Sequence, residues 1–181
     1  MYNYEVPKLK EVILDSGPLL LVLTIHFTNF YKRDDREALI KRVYSKLDKI
    51  PNPVYNLNKF FNSIDFLHTT PHAIGEVIGL VRSRLSLKEH ENEFWVSTLD
   101  FIKVKKMSEQ LIPLIELSKD LKFCPLIDKI GIVDTELIKF AKESNMPILS
   151  IDKRTLKHEA EKRNVDVLII DDDIYKYIPN Y

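Results

Sequence analysis

The chain has 181 residues, of which 45% are hydrophobic and 30% are charged, and its 27 basic and 27 acidic side chains leave no net charge. This balance is typical of a folded globular protein and excludes a largely disordered chain. The zero net charge argues against a protein that grips nucleic acid with its whole surface, so any such contact would depend on local patches. With one cysteine, Cys124, no internal disulfide can form. Because neither a secretory signal nor a membrane-length apolar stretch is present, we expect a soluble cytoplasmic protein with no membrane partner.

The first part of the chain predicts one strand followed by helices. A β-branched apolar run ends at Asp15, and Gly17 and Pro18 then suit the first turn of a helix. The interval 27–69 is longer than a simple connection and is predicted to be a helical insertion. The elements predicted here are a strand at 12–14, a buried helix at 19–30, a helix from Asp34 or Asp35 to Pro51, and a short helix within 54–68.

Strands return in the last part of the chain. Thr70-Pro71 predicts a helix start, because Thr can cap a helix and Pro suits its first position. The predicted elements are a helix from Thr70 to Leu85, a solvated turn at 88–93, a helix or strand at 94–104, helices at 105–122 and 132–144, a strand at 147–151, a helix at 153–163, a strand at 165–170 and an acidic, aromatic tail at 171–181. Strand, helix and strand in succession indicate a parallel sheet. We therefore predict one α/β domain.

Two acidic residues directly follow predicted strands. Asp15 comes after the first strand and Asp152 after the strand at 147–151. Ligands bind at the carboxyl ends of the strands in open parallel sheets, so both carboxylates are expected in one crevice. Taken singly, each is equally well interpreted as a helix cap or a turn former.

Asp134 and Glu76 are further acidic candidates. Asp134 leads the helical face that carries Leu137 and Ile138, so it is predicted to lie against the sheet, where it needs a cation, donors or a shifted pKa. The alternative is a simple N-terminal cap. Glu76 is flanked by Gly75 and Gly79, a spacing that suggests close approach of another backbone or a substrate, although a surface glutamate is the plainer interpretation. Glu136 projects away from Asp134 and is expected to be solvated.

Four carboxylates in one crevice would repel one another unless a cation lay between them. All-oxygen ligation suits Mg²⁺ or Mn²⁺. Two such ions can activate water and stabilise the leaving oxygen in phosphodiester cleavage. The acidic pattern therefore favours metal-dependent phosphodiester hydrolysis.

Four ordered motifs resemble the PIN domain family, and the resemblance covers most of the chain. They are Leu14-Asp15-Ser16-Gly17-Pro18-Leu19, then Thr69-Thr70-Pro71-His72 with Glu76-Val77, then Gly131-Ile132-Val133-Asp134-Thr135, and finally Leu149-Ser150-Ile151-Asp152. The chain is longer than the compact toxins of the family, and a subgroup with a Thr-Pro-His-x-x-x-Glu helix start fits it better.

The resemblance implies a three-layer α/β/α sandwich with a central parallel sheet. It implies a metal-dependent endoribonuclease that cleaves single-stranded RNA with Mg²⁺ or Mn²⁺. Many relatives are toxins that a protein antitoxin neutralises, and many are homodimers, so a toxin role, an antitoxin or inhibitor partner and a homodimer are all compatible with it. The family's acidic metal-site positions carry over to Asp15, Glu76, Asp134 and Asp152. Its usual hydroxyl partners carry over to Ser16, Thr135 and Ser150, which could orient a carboxylate or a metal-bound water.

Three further residues could contact the nucleic acid. Lys153 and Arg154 follow Asp152 and suit an RNA backbone, although plain surface charge explains them equally well. His72 precedes Glu76 by one helical turn and is a weaker candidate for a phosphate contact. Two other functions stay open: a non-catalytic PIN-like module that binds RNA or protein, and a structure-specific DNA nuclease with the same chemistry.

Overall fold

A five-stranded parallel sheet forms the centre of the fold. The structure is a computed structural model, and it describes residues 9–151 and 154–177. The strands are β1 (Glu11–Leu14), β2 (Phe66–Thr69), β3 (Ser108–Glu109), β4 (Ile148–Ser150) and β5 (Val167–Ile169). Their order across the sheet is β3-β2-β1-β4-β5, and every neighbouring pair is parallel.

Helices connect these strands and cover both faces of the sheet. They are α1 (Ser16–Phe30), α2 (Arg36–Val43), α3 (Pro53–Ser63), α4 (Pro71–Leu80), α5 (Glu91–Lys105), α6 (Leu114–Lys119), α7 (Cys124–Ser144), α8 (Thr155–Glu161) and α9 (Ile170–Asp173). Short 3₁₀ turns occur at Leu47–Lys49, Lys88–His90 and Ile174–Tyr177, and one π turn extends α4 at Val81–Leu85. Within the described ranges, no helix is both long enough and apolar enough to cross a membrane.

The two faces of the sheet bury separate hydrophobic cores. Successive strand side chains point to opposite faces, so Val12 and Leu14 join one core and Ile13 joins the other. The first core contains buried side chains of α1 to α5, and the second contains those of α6, α7 and α8. This arrangement confirms the predicted α/β sandwich of three layers with a central parallel sheet.

The interval between α1 and β2 is only partly as predicted. It contains α2 and α3, whose apolar faces join the same core as α1. The helix predicted from Asp35 ends at Val43 instead of Ile50, and the helix predicted over 54–68 ends at Ser63. Residues 66–69 form β2 because their hydrogen bonds go to β1, with Leu67 opposite Val12. The residues Phe-Leu-His-Thr lack the continuous apolar, β-branched run that predicted β1, so this strand has no comparable local signal.

The helix predicted at 105–122 is wrong. Helix α5 ends at Lys105 because Lys106 adopts a left-handed conformation (φ 49°). The short edge strand β3 follows and pairs with β2. Pro113 then precedes a separate six-residue helix, α6. The segment at 94–104, predicted to be a helix or a strand, is helical. Helix α5 already begins at Glu91, so the last three residues of the turn predicted at 88–93 are helical as well.

Gly131 breaks α7 into two parts. Its backbone (φ 87°, ψ 171°) is non-helical and lies where L-residues are strained, although a Cβ added there would meet nothing within 4 Å. The second part of α7 therefore starts afresh at Ile132. Since it ends shortly before β4 begins, its start lies toward the carboxyl edge of the sheet, and Asp134 lies in that first turn.

We expect Gly131→Ala to lower the free energy of unfolding by about 1–3 kcal/mol, because Ala is strained in this conformation. Gly79→Ala is the matched control. Gly79 is exposed inside a regular helix with open space around it, so Ala should raise stability by about 0.5–1 kcal/mol. Urea unfolding of both variants measures the difference, and equal effects would contradict the assigned role of Gly131.

Candidate functional site

The order of the strands reverses between β1 and β4. From β1 the chain proceeds outward through β2 and β3, and it then returns to the other side of β1 through β4 and β5. In open parallel sheets such a reversal leaves a crevice at the carboxyl ends of the two strands, where ligands bind. Asp15 follows the last residue of β1, and Ser150 is the last residue of β4. The two therefore lie at the edge where a site is expected.

Asp15 is the buried carboxylate of this crevice. Its side chain is 7% exposed and caps the N-terminus of α1. The Ser150 hydroxyl donates to Oδ2 (2.7 Å), while the Ser16 backbone N–H (2.6 Å) and hydroxyl (3.3 Å) donate to Oδ1. Within the described part of the chain, these hydrogen-bond donors are all uncharged. The predicted supporting residues Ser16 and Ser150 thus both contact this carboxylate.

Burial dominates the electrostatics of Asp15. Desolvation raises the pKa of its carboxyl group, and the hydrogen bonds from Ser150 and Ser16 only partly offset that effect. The negative charge of Glu76 raises the pKa further. Among the described residues, the contacts that lower the pKa of Asp15 come from hydroxyl and backbone N–H donors and not from a cationic side chain.

Glu76 reaches the same edge from α4. Thr70 caps this helix by accepting from the Ala73 N–H (3.3 Å), as the Thr-Pro motif predicts. The preceding Thr69 donates to the carbonyl of Leu14 (3.2 Å), which ties the start of α4 to the end of β1. Glu76 is exposed, yet its charge acts on Asp15. Glu76 is therefore close enough for its charge to influence the Asp15 carboxyl group.

Among the described residues, no backbone approaches the glycines beside Glu76 closely, so the predicted approach of a substrate stays a prediction. A Cβ added at Gly75 or Gly79 would meet nothing within 4 Å. Close packing occurs instead at Gly17, where a Cβ would lie 2.6 Å from Cδ1 of Ile151. The absence of a side chain at Gly17 lets the segment that follows β4 lie against the first turn of α1, beside Asp15.

The second part of α7 brings Asp134 and Thr135. Asp134 is half-buried at the head of a face whose Leu137 and Ile138 are fully buried, as the helical spacing predicts. Thr135 is buried and donates to the carbonyl of Gly131 (2.7 Å). The proton of this hydroxyl is therefore used across the break at Gly131, so it does not donate to a carboxylate here, and the predicted contact with a metal-bound water stays a prediction.

Glu136 is not solvated, which corrects the sequence prediction. It is 0% exposed, and its Oε2 lies 3.0 Å from Nδ1 of His72. Its Oε1 is buried and has no hydrogen-bond partner among the residues that the structure describes. Because the start of α4 packs on α7, a face that points away from Asp134 is still covered. A helical wheel of α7 contains no information about its packing against α4. The sequence therefore gave no signal for the pairing of His72 with Glu136.

Asp152 and Lys153 lie outside the described residues, so their predicted roles stay predictions. Arg154 is exposed just before α8. Among residues 9–151 and 154–177, no three side chains of His, Cys, Asp or Glu are grouped closely enough to hold a metal ion. Asp15, Glu76 and Asp134 therefore do not form such a group by themselves, and the predicted set of four carboxylates stays a prediction.

Ser150→Ala should raise the pKa of Asp15 further, because the lost hydroxyl stabilises the charged carboxylate. The measurement is a ¹³C NMR titration of the Asp15 carboxyl carbon in chelator, with the midpoint expected at higher pH in the variant. Ser97→Ala removes an equally buried hydroxyl that donates to the carbonyl of Phe94, and it should leave the midpoint unchanged. A lower midpoint in Ser150→Ala would contradict the assigned hydrogen bond.

The chain was compared with known proteins. No protein-family model, curated protein or solved structure matches it.

Proposed function

We propose that the protein is a PIN-type, metal-dependent endoribonuclease that hydrolyses phosphodiester bonds of single-stranded RNA. In this proposal Asp15, Glu76, Asp134 and Asp152 hold Mg²⁺ or Mn²⁺. The observation that carries it is a buried Asp15 at the reversal of strand order, whose hydrogen-bond donors among the described residues are uncharged and whose pKa the Glu76 charge raises further.

The chemistry of these donors fits a hard divalent cation. Such ions prefer carboxylate oxygen, and Mg²⁺ retains several waters that leave room for a phosphate. A buried carboxylate with a raised pKa and a second carboxylate nearby is a costly arrangement for stability alone. When bound, the cation would supply the positive charge that keeps Asp15 ionised and would stabilise negative charge on the phosphate.

The residues of the chain itself have distinct tasks in this scheme. Ser150 and Ser16 fix both oxygens of Asp15, so that the carboxylate faces the crevice in one orientation. Arg154, exposed beside the segment that follows β4, is suited to contact the RNA backbone. The net reaction forms a bond between a water oxygen and phosphorus and breaks one P–O ester bond, and the leaving oxygen takes up a proton.

A cleavage assay tests the proposal. The purified protein should cut a 5′-labelled single-stranded RNA internally in Mn²⁺ or Mg²⁺, and excess chelator should stop the reaction. A DNA strand of the same sequence is run alongside. Cutting of the DNA strand alone would identify a DNA nuclease. RNA binding without cutting of either strand, in the presence of either ion, would identify a non-catalytic module and overturn the proposal.

A further inference from the structure

His72 and Glu136 form a pair that the proposed function does not use. His72 occupies the first turn of α4, and Glu136 lies in the second part of α7. Nδ1 of His72 lies 3.0 Å from Oε2 of Glu136, and because an ionised carboxylate can only accept a hydrogen bond, the bond to such a carboxylate has its hydrogen on Nδ1. The pair joins two helices that both begin at the carboxyl edge of the sheet.

Burial makes this contact a rigid support for the imidazole ring. The Glu136 side chain is fully buried, whereas 35% of the His72 side chain is exposed. One oxygen of Glu136 has no hydrogen-bond partner among the described residues. The contact with His72 is therefore the main interaction that offsets the cost of burying the Glu136 side chain. A carboxylate that holds one ring nitrogen fixes the orientation and the tautomer of the other. Nε2 is thereby left as the ring nitrogen available to a ligand.

The position of His72 puts that nitrogen at the rim of the candidate site. His72 and Glu76 are four residues apart, which places them on the same face of α4. The helix starts directly after Thr69, whose hydroxyl is bonded to Leu14, the neighbour of Asp15. A nucleotide bound over the carboxylates would therefore pass close to His72.

We infer that His72 binds the 2′-hydroxyl of the bound nucleotide through Nε2 and so selects RNA over DNA. This inference rests on the proposed function. A 2′-hydroxyl both donates and accepts, so it can pair with Nε2 whether or not that nitrogen carries a hydrogen, and it is the group that distinguishes RNA from DNA. The carboxylate of Glu136 contacts the ring and Glu76 follows one helical turn later, and these negative charges disfavour an anionic phosphate at this point, whereas a neutral hydroxyl meets no such repulsion.

The test measures the affinities of a fluorescent 12-nucleotide RNA and the DNA of identical sequence by anisotropy, in chelator. The wild-type protein should prefer RNA. His72→Ala should weaken RNA binding by a factor of about 3–10, the equivalent of one hydrogen bond, and leave DNA binding unchanged. His72→Gln, whose amide both donates and accepts, should restore most of the preference. His90→Ala is the matched control, because His90 makes the same Nδ1 contact with Glu93 on an exposed surface.

A merely structural role for His72 is separated by NMR. The ¹⁵N signal of His72 Nε2 should shift on addition of the RNA and not on addition of the DNA. Equal loss of RNA and DNA affinity in both His72 variants, or no loss in either, would overturn the inference even if the protein cleaves RNA. If the wild-type protein cut neither strand but His72→Ala lost the preference for RNA, the nuclease proposal would be overturned. The inferred contact between His72 and the RNA would then still be supported.

Discussion

Asp15→Asn is expected to lower Mn²⁺-dependent RNA cleavage by at least about a thousandfold, the scale of removing a central catalytic group. The amide keeps the shape of the side chain and can still bond to Ser16 and Ser150, so the local structure should persist. What it removes is the negative charge that a divalent cation requires. The measurement is the single-turnover cleavage rate at saturating protein.

The same variant should be more stable than the wild type when no metal is present. Burial raises the pKa of Asp15 above its ordinary value of 3.8, so folding favours the protonated form. That contribution to stability is present at low pH and is lost as the pH rises through the pKa of the folded state. At neutral pH in chelator, Asp15→Asn is therefore expected to have a higher free energy of unfolding than the wild type, and the difference should disappear well below pH 3.8.

Added Mn²⁺ should reverse this order of stability. A cation that binds only the folded wild-type protein raises its melting temperature, whereas the variant should respond weakly. Asp34→Asn, which neutralises an exposed carboxylate outside the site, is the matched control and should behave like the wild type. If Asp15→Asn cleaved RNA at the wild-type rate, the assigned site would be wrong.

Phe94→Ala is expected to produce the largest loss of stability, about 3–5 kcal/mol of unfolding free energy. Phe94 is 0% exposed on α5, and its ring packs edge-on against that of Phe27 from α1 (5.5 Å between centroids). Truncation removes the burial of a whole ring and leaves a cavity between the two helices that cover one face of the sheet. Guanidinium unfolding, with the slope compared between variants, measures the loss.

Leu99→Ala on the same helix is the control for this prediction. Leu99 is 60% exposed, so its truncation should change stability by no more than about 0.5 kcal/mol. If the two variants lost similar stability, the packing of α5 against α1 would not be as described.

Local sequence patterns predicted the helices and strands whose own residues show an apolar run or a capping motif. The apolar run before Asp15, the Thr70-Pro71 cap and the strand before Asp152 could each be read from a few adjacent residues, because burial and capping impose residue types on the element itself. The first and third of these signals predicted strands that prove to be neighbours, with Asp15 directly after one and Ser150 at the end of the other. The order of the strands across the sheet could not be predicted from any single segment of the sequence.

Features that depend on a distant partner could not be predicted in this way. Strands β2 and β3 are short, and they are strands only because β1 and then β2 pair with them. Glu136 is buried because α4 covers α7, and its pairing with His72 spans 64 positions of the chain. Tertiary contacts of this kind override local propensity.

The most direct test of the central claim is a crystal structure of the protein soaked in Mn²⁺, with anomalous data collected at a wavelength where manganese scatters strongly. We predict a peak within about 2.0–2.4 Å of a carboxylate oxygen of Asp15, in the crevice between the ends of β1 and β4. Crystals that take up Mn²⁺ only at other surfaces, and that leave Asp15 bonded solely to Ser16 and Ser150, would contradict the account.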